Sequence, residues 1–257
     1  DIYGTDDQVK ESFRLFASQL KDSGKLIHKK GLALTGGLTY SASEQAETYA
    51  HSDRVENGQF YFDFSGDGIA ISDIAMPLPG LHNIENAVAA IQAALYLEIP
   101  AEKIKAAIAD FRGVKRRFEY VVRSEKSVYI DDYAHHPEEL RACISAVKTL
   151  YPERTLTVIF QPHLYSRTRD FAPGFAEALS MADELILLDI YPARELPIEG
   201  VTSRIILDEV EGGLKMLCSM EECLHYISIR KPELLLTVGA GDIDTMVGPL
   251  KEMMSHA

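Results

Sequence analysis

The sequence predicts a two-part α/β protein whose second part is built on a mostly parallel sheet covered on both faces by helices. Three observations predict it. Residues 25–76 carry short β-type runs joined by turn residues, and two helical stretches follow. From about residue 118, apolar strand-like runs alternate with helical stretches, the pattern of βαβ units. The chemically unusual residues of that half gather just after the strand-like runs, at the edge where open α/β sheets bind ligands.

The elements follow in order. Thr5 can cap a first helix, with Gln8 closing a capping box, and Val9, Phe13, Phe16 and Leu20 recur at helical spacing until Asp22-Ser23-Gly24 stops it. Phe60, Phe62 and Phe64 alternate with Tyr61 and Asp63. The turn Ser65-Gly66-Asp67-Gly68 then leads into Ile69–Ile74, a hairpin signal. Pro77-Leu78-Pro79-Gly80 breaks the pattern. An alanine-rich helix runs from about Asn83 to Leu97, and Pro100 starts another that ends near Phe111. The boundary falls near Gly113, giving parts 1–112 and 113–257. In the second part, strands are predicted near 127–132, 155–160, 184–190 and 234–238, and helices over 137–150, 168–180, 202–211, 219–230 and 243–256. Pro137 suits a first helical turn, and Glu138 and Glu139 suit the positive end of its dipole. This alternation is Rossmann-like.

Composition narrows the function. The 257 residues are 46% hydrophobic and 25% charged, enough for two domains. No run of 18 apolar residues predicts a membrane span, and the polar start Asp1–Asp7 predicts no signal peptide. Cys143, Cys218 and Cys223 form neither a disulfide framework nor a C-x-x-C pair, which fits a reducing cytoplasm. A net charge of -13 argues against nucleic acid. It leaves room for an anion at the local cluster Arg112, Lys115, Arg116 and Arg117, a run that also reads as solvated surface charge.

Four segments follow predicted strands: Asp131–Pro137, Gln161–Thr168, Asp189–Glu195 and Gly239–Asp242. Four such loops on one sheet edge predict a site. Gly239-Ala240-Gly241 lacks the third glycine of a dinucleotide fingerprint and reads as a tight strand-to-helix turn. Asp131, Asp132, His135, His136 and His163 suggest a metal site by composition. Neighbouring strand residues point to opposite faces, however, so no metal is expected there. Arg116-Arg117 could reach a phosphate with arginine's planar fork. His82, Asn83 and Asn86 open a helix; asparagine's donor and acceptor match an adenine edge, and helix capping is the alternative for His82 and Asn83. No G-x-x-x-x-G-K-[ST] motif is present, since Gln19 stands five residues before Gly24-Lys25 where that motif needs glycine.

In order and spacing, Leu78–Ala87, Arg116-Arg117-Phe118-Glu119 and Asp131–Pro137 resemble the Mur ligase family. Phe160–His163 with Tyr165–Thr168, and Asp189–Glu195 with Pro197-Ile198 and Gly200–Ser203, look like its L-alanine-adding members. The resemblance covers essentially the whole chain. It implies a partial central ATPase domain over 1–112 and an amino-acid-binding C-terminal domain over 113–257. Asp1-Ile2-Tyr3-Gly4 looks like the segment after a metal-binding glutamate, so a fragment lacking the UDP-binding domain and the P-loop is expected.

The implied reaction joins L-alanine to UDP-N-acetylmuramate through an acyl phosphate, with ATP and with magnesium whose ligands fall mostly outside this chain. By resemblance, His82, Asn83, Asn86, Arg117 and Asp132 would bind ATP. Tyr133, His135, His163 and Arg167 would take the amino acid, with His135, His163 and Arg167 as the catalytic set. Leu164 stands where relatives often have arginine, which places more weight on Arg167. The alternatives are a ligase that recycles a murein tripeptide and, in another class, a metal-dependent hydrolase.

Overall fold

The computed structural model describes residues 5–56, 59–78 and 80–255. The Asp1–Gly4 segment, Pro79 and the last residue of the predicted final helix, His256, lie outside the described residues. The chain divides into two compact units, Asp1–Arg112 and Gly113–Ala257.

The first unit opens with α1 (Asp6–Ser18), where the Thr5 hydroxyl accepts from the Gln8 N–H at 3.3 Å. The helix stops two residues short of the predicted Leu20. No α1 residue is buried, and Phe13 and Phe16 are 58% and 74% exposed. The apolar spacing that predicts this helix therefore marks no face buried among the described residues.

A five-stranded sheet follows in the order β1 (Ile27–Lys29), β2 (Leu38–Ser41), β3 (Thr48–Glu56), β4 (Gln59–Gly66) and β5 (Ile69–Met76). The first three strands are parallel, and β3–β4 and β4–β5 are antiparallel. At the predicted hairpin, Gly66 pairs with Ile69 around Asp67-Gly68, whose φ values of 51° and 73° are the two left-handed positions of a two-residue turn. Helices α2 (Leu81–Tyr96) and α3 (Ala101–Ala109) bury Ile84, Val88, Ile91 and Ile104 against Phe62, Phe64 and Ile74.

The second unit is a six-stranded sheet in the order β10-β9-β8-β11-β7-β6, parallel except for the β6–β7 pair. The strands are β6 (Glu119–Arg123), β7 (Val128–Asp132), β8 (Leu156–Gln161), β9 (Glu184–Leu187), β10 (Leu214–Leu217) and β11 (Leu234–Gly239). Every residue of β7, β8, β9 and β11 is buried, as expected of strands covered on both faces. The sequence reading misses β6 and β10. Both are sheet edges and only partly buried, and their apolar runs are no longer than three residues.

The helices are α4 (Pro137–Leu150), α5 (Tyr165–Leu179), α6 (Arg204–Leu207), α7 (Met220–Arg230) and α8 (Val247–Ser255). The predicted 202–211 helix shrinks to one turn, and the last helix is preceded by a 3-10 turn, Asp242–Met246. At the start of α7, Ser219 and Glu222 form a capping box. Cys218 and Cys223 flank it as the apolar pair that fixes the entry of the chain. All three cysteines are free and buried, and burial pushes the Cys223 thiol up to about 12.

Candidate active site

The sheet register brings the predicted loops together. Asp132 pairs with Val238, Gly239 with Gln161 and Phe160 with Leu187, so β7, β11, β8 and β9 end at one edge of the second unit.

The two aspartates at the end of β7 part ways, as their alternation requires. Asp131 turns into the protein, where it accepts from Arg116 Nε at 3.0 Å and from the Thr237 hydroxyl at 2.6 Å, with Tyr129 bonded to Thr237 behind it. Arg116 also donates to the Gly239 carbonyl at 2.7 Å. Asp132, the last residue of β7, accepts from the N–H groups of Phe118 and Ala134, each at 2.7 Å. Burial raises both carboxyl pKa values, against the opposing pull of these donors and of Arg116 and Arg117. Arg117 is exposed, with its guanidinium 5.6 Å from the centre of the Tyr133 ring. Arg116 stands 5.3 Å from the same ring.

The histidines also divide. His136 caps α4, its Nδ1 accepting from the Glu138 N–H at 3.4 Å and its ring meeting Phe171. Glu139 returns to the N–H groups of His135 and His136 at 2.9 and 3.2 Å. His135 turns the other way. Its Nδ1 lies 2.9 Å from the Tyr133 carbonyl, a pure acceptor, so the neutral ring carries its hydrogen on Nδ1 and presents a bare Nε2. The His135 and His163 rings are 6.3 Å apart. His163 stacks on Tyr191 and takes an Arg167 N–H on Nδ1 at 3.4 Å, so its neutral form carries the hydrogen on Nε2. Burial, then the charge of Arg167, lowers the His163 pKa.

Helix α5 begins three residues before the predicted Thr168. Leu164 enters it with φ 71° and offers no side-chain cap. Glu195, from the loop after β9, supplies one. Its carboxylate accepts from the Ser166 N–H at 2.9 Å and from the Ser166 hydroxyl, and these bonds lower its pKa. Asp170, three residues after Arg167 on the same helix, forms an ion pair with Arg169 at 2.7 Å.

The glycine turn after β11 closes the edge. Gly239 has φ 143°, and a Cβ on Gly241 would collide with Gln161 Oε1. Gln161 donates to Asp242 at 2.7 Å and accepts from the Ile243 N–H at 2.9 Å. The turn is therefore a tight backbone approach, as the missing third glycine predicts. Sequence reasoning quotes Gln161 and Glu195 within motifs without a task, and offers Arg116 a phosphate where the structure turns it inward to Asp131. Their partners lie far along the chain, and no local spacing announces such pairs.

In the first unit, His82 and Asn86 are exposed and one helical turn apart on α2, with Asn83 partly buried beside them. Gly80 takes the capping position, with φ 99°. Among the described residues, no group of three His, Cys, Asp or Glu side chains is arranged to hold a metal, and no helix is long and apolar enough to cross a membrane.

Residues 116–241 match the family model described as "Mur ligase, glutamate ligase domain". The chain is 49% identical to a UDP-N-acetylmuramate–L-alanine ligase from Parabacteroides distasonis, over 99% of the chain and 56% of that protein. It is 46% identical to one from Flavobacterium johnsoniae, over 100% of the chain and 57% of that protein. The chain thus spans little more than half the length of these relatives. Its fold is similar to that of a UDP-N-acetylmuramate–alanine ligase from Thermotoga maritima, with a TM-score of 0.78 at 22% identity, covering 98% of the chain and 56% of that structure.

Proposed function

We propose, from its similarity to the Mur ligase family, that the chain belongs to that family and serves a ligase joining L-alanine to UDP-N-acetylmuramate through an acyl phosphate formed with ATP. Residues 1–112 would contribute part of the ATP-binding domain and residues 113–257 the amino-acid-binding domain. The observation that carries this reading is the meeting of two loops at one sheet edge. His135 faces His163 at 6.3 Å, and Arg167 reaches His163 at 3.4 Å, with the Tyr133 ring 5.2 Å from His135.

Alanine is small, so recognition falls on its two charged ends. Its amine must be free to attack, which leaves the carboxylate as the handle, and Arg167's planar fork suits that handle. His163, whose pKa burial and the Arg167 charge lower, would keep the surroundings of the amine from adding positive charge, with His135 beside it. The attacking amine would then displace phosphate from the acyl phosphate, a step governed by positioning and by charge neutralisation.

In the second unit, Arg117 would contact the phosphates of ATP and Asp132 the ribose. In the first, Asn86 would read the adenine edge, with His82 and Asn83 shaping that turn. Within the second unit, an exposed guanidinium and a buried carboxylate already oriented by two N–H groups support the phosphate and ribose roles. Magnesium would accompany ATP, and among the described residues no group of three His, Cys, Asp or Glu side chains is arranged to hold it. The three free cysteines support a cytoplasmic setting.

The test is Arg167→Lys in the full-length protein. The alanine KM should rise about tenfold or more, ~1.4 kcal/mol, with the ATP KM little changed. An unchanged alanine KM, or equal losses for both substrates, would reject Arg167 as the carboxylate anchor.

A further inference from the structure

Two arginines in sequence, Arg116-Arg117, face two aspartates in sequence, Asp131-Asp132, and the pairing between them is not symmetric. Arg116 goes inward to Asp131, whose side chain is 1% exposed. Arg117 stays outside against the Tyr133 ring. We propose that Arg116 is a positioning residue for the nucleotide. By occupying Asp131 and tying down the turn that carries Arg117, it holds Arg117 and Asp132 in the arrangement that receives phosphate and ribose. The proposal rests on the assignment of Arg117 and Asp132 to ATP made above.

The backbone and the guanidinium of Arg116 both make hydrogen bonds. Its N–H donates to Glu119 at 2.9 Å, and its carbonyl accepts from the Tyr133 N–H at 2.7 Å. Its Nε bonds Asp131 at 3.0 Å and a terminal nitrogen bonds the Gly239 carbonyl at 2.7 Å. These four bonds tie the segment before β6 to the first residue of β6, to β7, to the residue after β7 and to the last residue of β11.

They also hold an unfavourable backbone in place. Arg116 and Phe118 have φ values of 59° and 51°, a conformation that side-chain-bearing residues avoid unless their surroundings impose it. Arg117 lies between them, so its direction is set by two left-handed residues. The second of these, Phe118, donates its N–H to Asp132 at 2.7 Å. One three-residue turn therefore aims the arginine and orients the carboxylate.

Lysine cannot take over this task. A single ammonium reaches Asp131 or the Gly239 carbonyl, whereas the guanidinium fork serves both. Without the inner arginine, Asp131 also becomes an unpaired buried charge, and Arg117 is the nearest cation in sequence to satisfy it.

A purely structural pair behaves differently from a positioning one, and the experiment uses that difference in the full-length protein. Arg116→Lys and the double variant Arg116→Met/Asp131→Asn are compared with the parent and with Arg117→Ala. Thermal melting, ATP KM, alanine KM and kcat are measured for each. The double variant removes both buried charges while the Asp131→Asn amide oxygen still accepts from Thr237, so its melting temperature should stay close to the parent's. Its ATP KM should nevertheless rise about tenfold, with alanine KM within about threefold, and Arg116→Lys should raise ATP KM in the same direction.

A double variant with parental stability and parental ATP KM would overturn the proposal. So would a raised ATP KM in Arg117→Ala beside unchanged values in both Arg116 variants, which leaves the site assignment standing. An unchanged ATP KM in Arg117→Ala would bring down the site assignment and this proposal together.

Discussion

At the scale of single residues, the environment of His163 makes a directional claim. Burial and Arg167 depress its pKa, and Glu195 pulls it the other way. The fold favours the neutral ring. Its contribution to stability is therefore present above the ordinary imidazole value and is lost as pH falls through that value toward the lower folded one. Following the imidazole resonances by NMR, we expect His163 to titrate below an unperturbed histidine. Arg167→Met should move it up and Glu195→Gln should move it down; a shift of either variant in the reverse direction would refute the geometry.

Gly241 makes a second claim. Its Cβ position is taken by Gln161 Oε1 and by Tyr191 Cβ at 2.6 Å. Gly241→Ala should then cost ~1–3 kcal/mol of stability, measured by denaturant unfolding. Of these residues, the sequence exposes His163 and the glycine pair through their place after strands. It conceals what they touch, because Gln161 and Asp242, or Arg116 and Gly239, are neighbours only through the parallel register.

At the scale of elements, α5 depends on a carboxylate from another loop. Leu164 cannot cap the helix, and Glu195 does so through Ser166. Glu195→Ala should destabilise the second unit by ~1 kcal/mol, while Glu195→Gln, which keeps an acceptor for the Ser166 N–H, should cost less. Equal melting temperatures for both variants and the parent would show that the cap contributes nothing.

Elements with apolar runs or local caps are legible from sequence alone: the buried strands β7, β8, β9 and β11, the Pro137 helix, and the Asp67-Gly68 hairpin. The edge strands β6 and β10 are not, because half-exposed strands such as Leu214-Lys215-Met216-Leu217 look like loops until a neighbour pairs with them. The start of α5 is misplaced for the same reason, since its cap comes from 29 residues away. The apolar spacing of α1 predicts the helix, yet no residue of it is buried, since periodicity reports amphipathicity and not the presence of a partner surface.

At the scale of the whole molecule, the chain has two units, a family-matched second half and no phosphate-cradling glycine-lysine loop in its sequence. Incubated with ATP, magnesium, L-alanine and UDP-N-acetylmuramate, the chain by itself should release phosphate at background rate. Sustained turnover would contradict the division of labour proposed above. A separate consequence follows from where the thiols lie. Cys143, Cys218 and Cys223 all fall in residues 113–257, all are buried, and the chain has no tryptophan to serve as an optical probe. A chromogenic disulfide reagent therefore becomes a clock for one half of the molecule alone. When closing outruns labelling, its rate reads the opening equilibrium of the second unit, with Cys143 in α4 and the Cys218–Cys223 pair at α7 timing separate openings, while the first unit stays silent throughout.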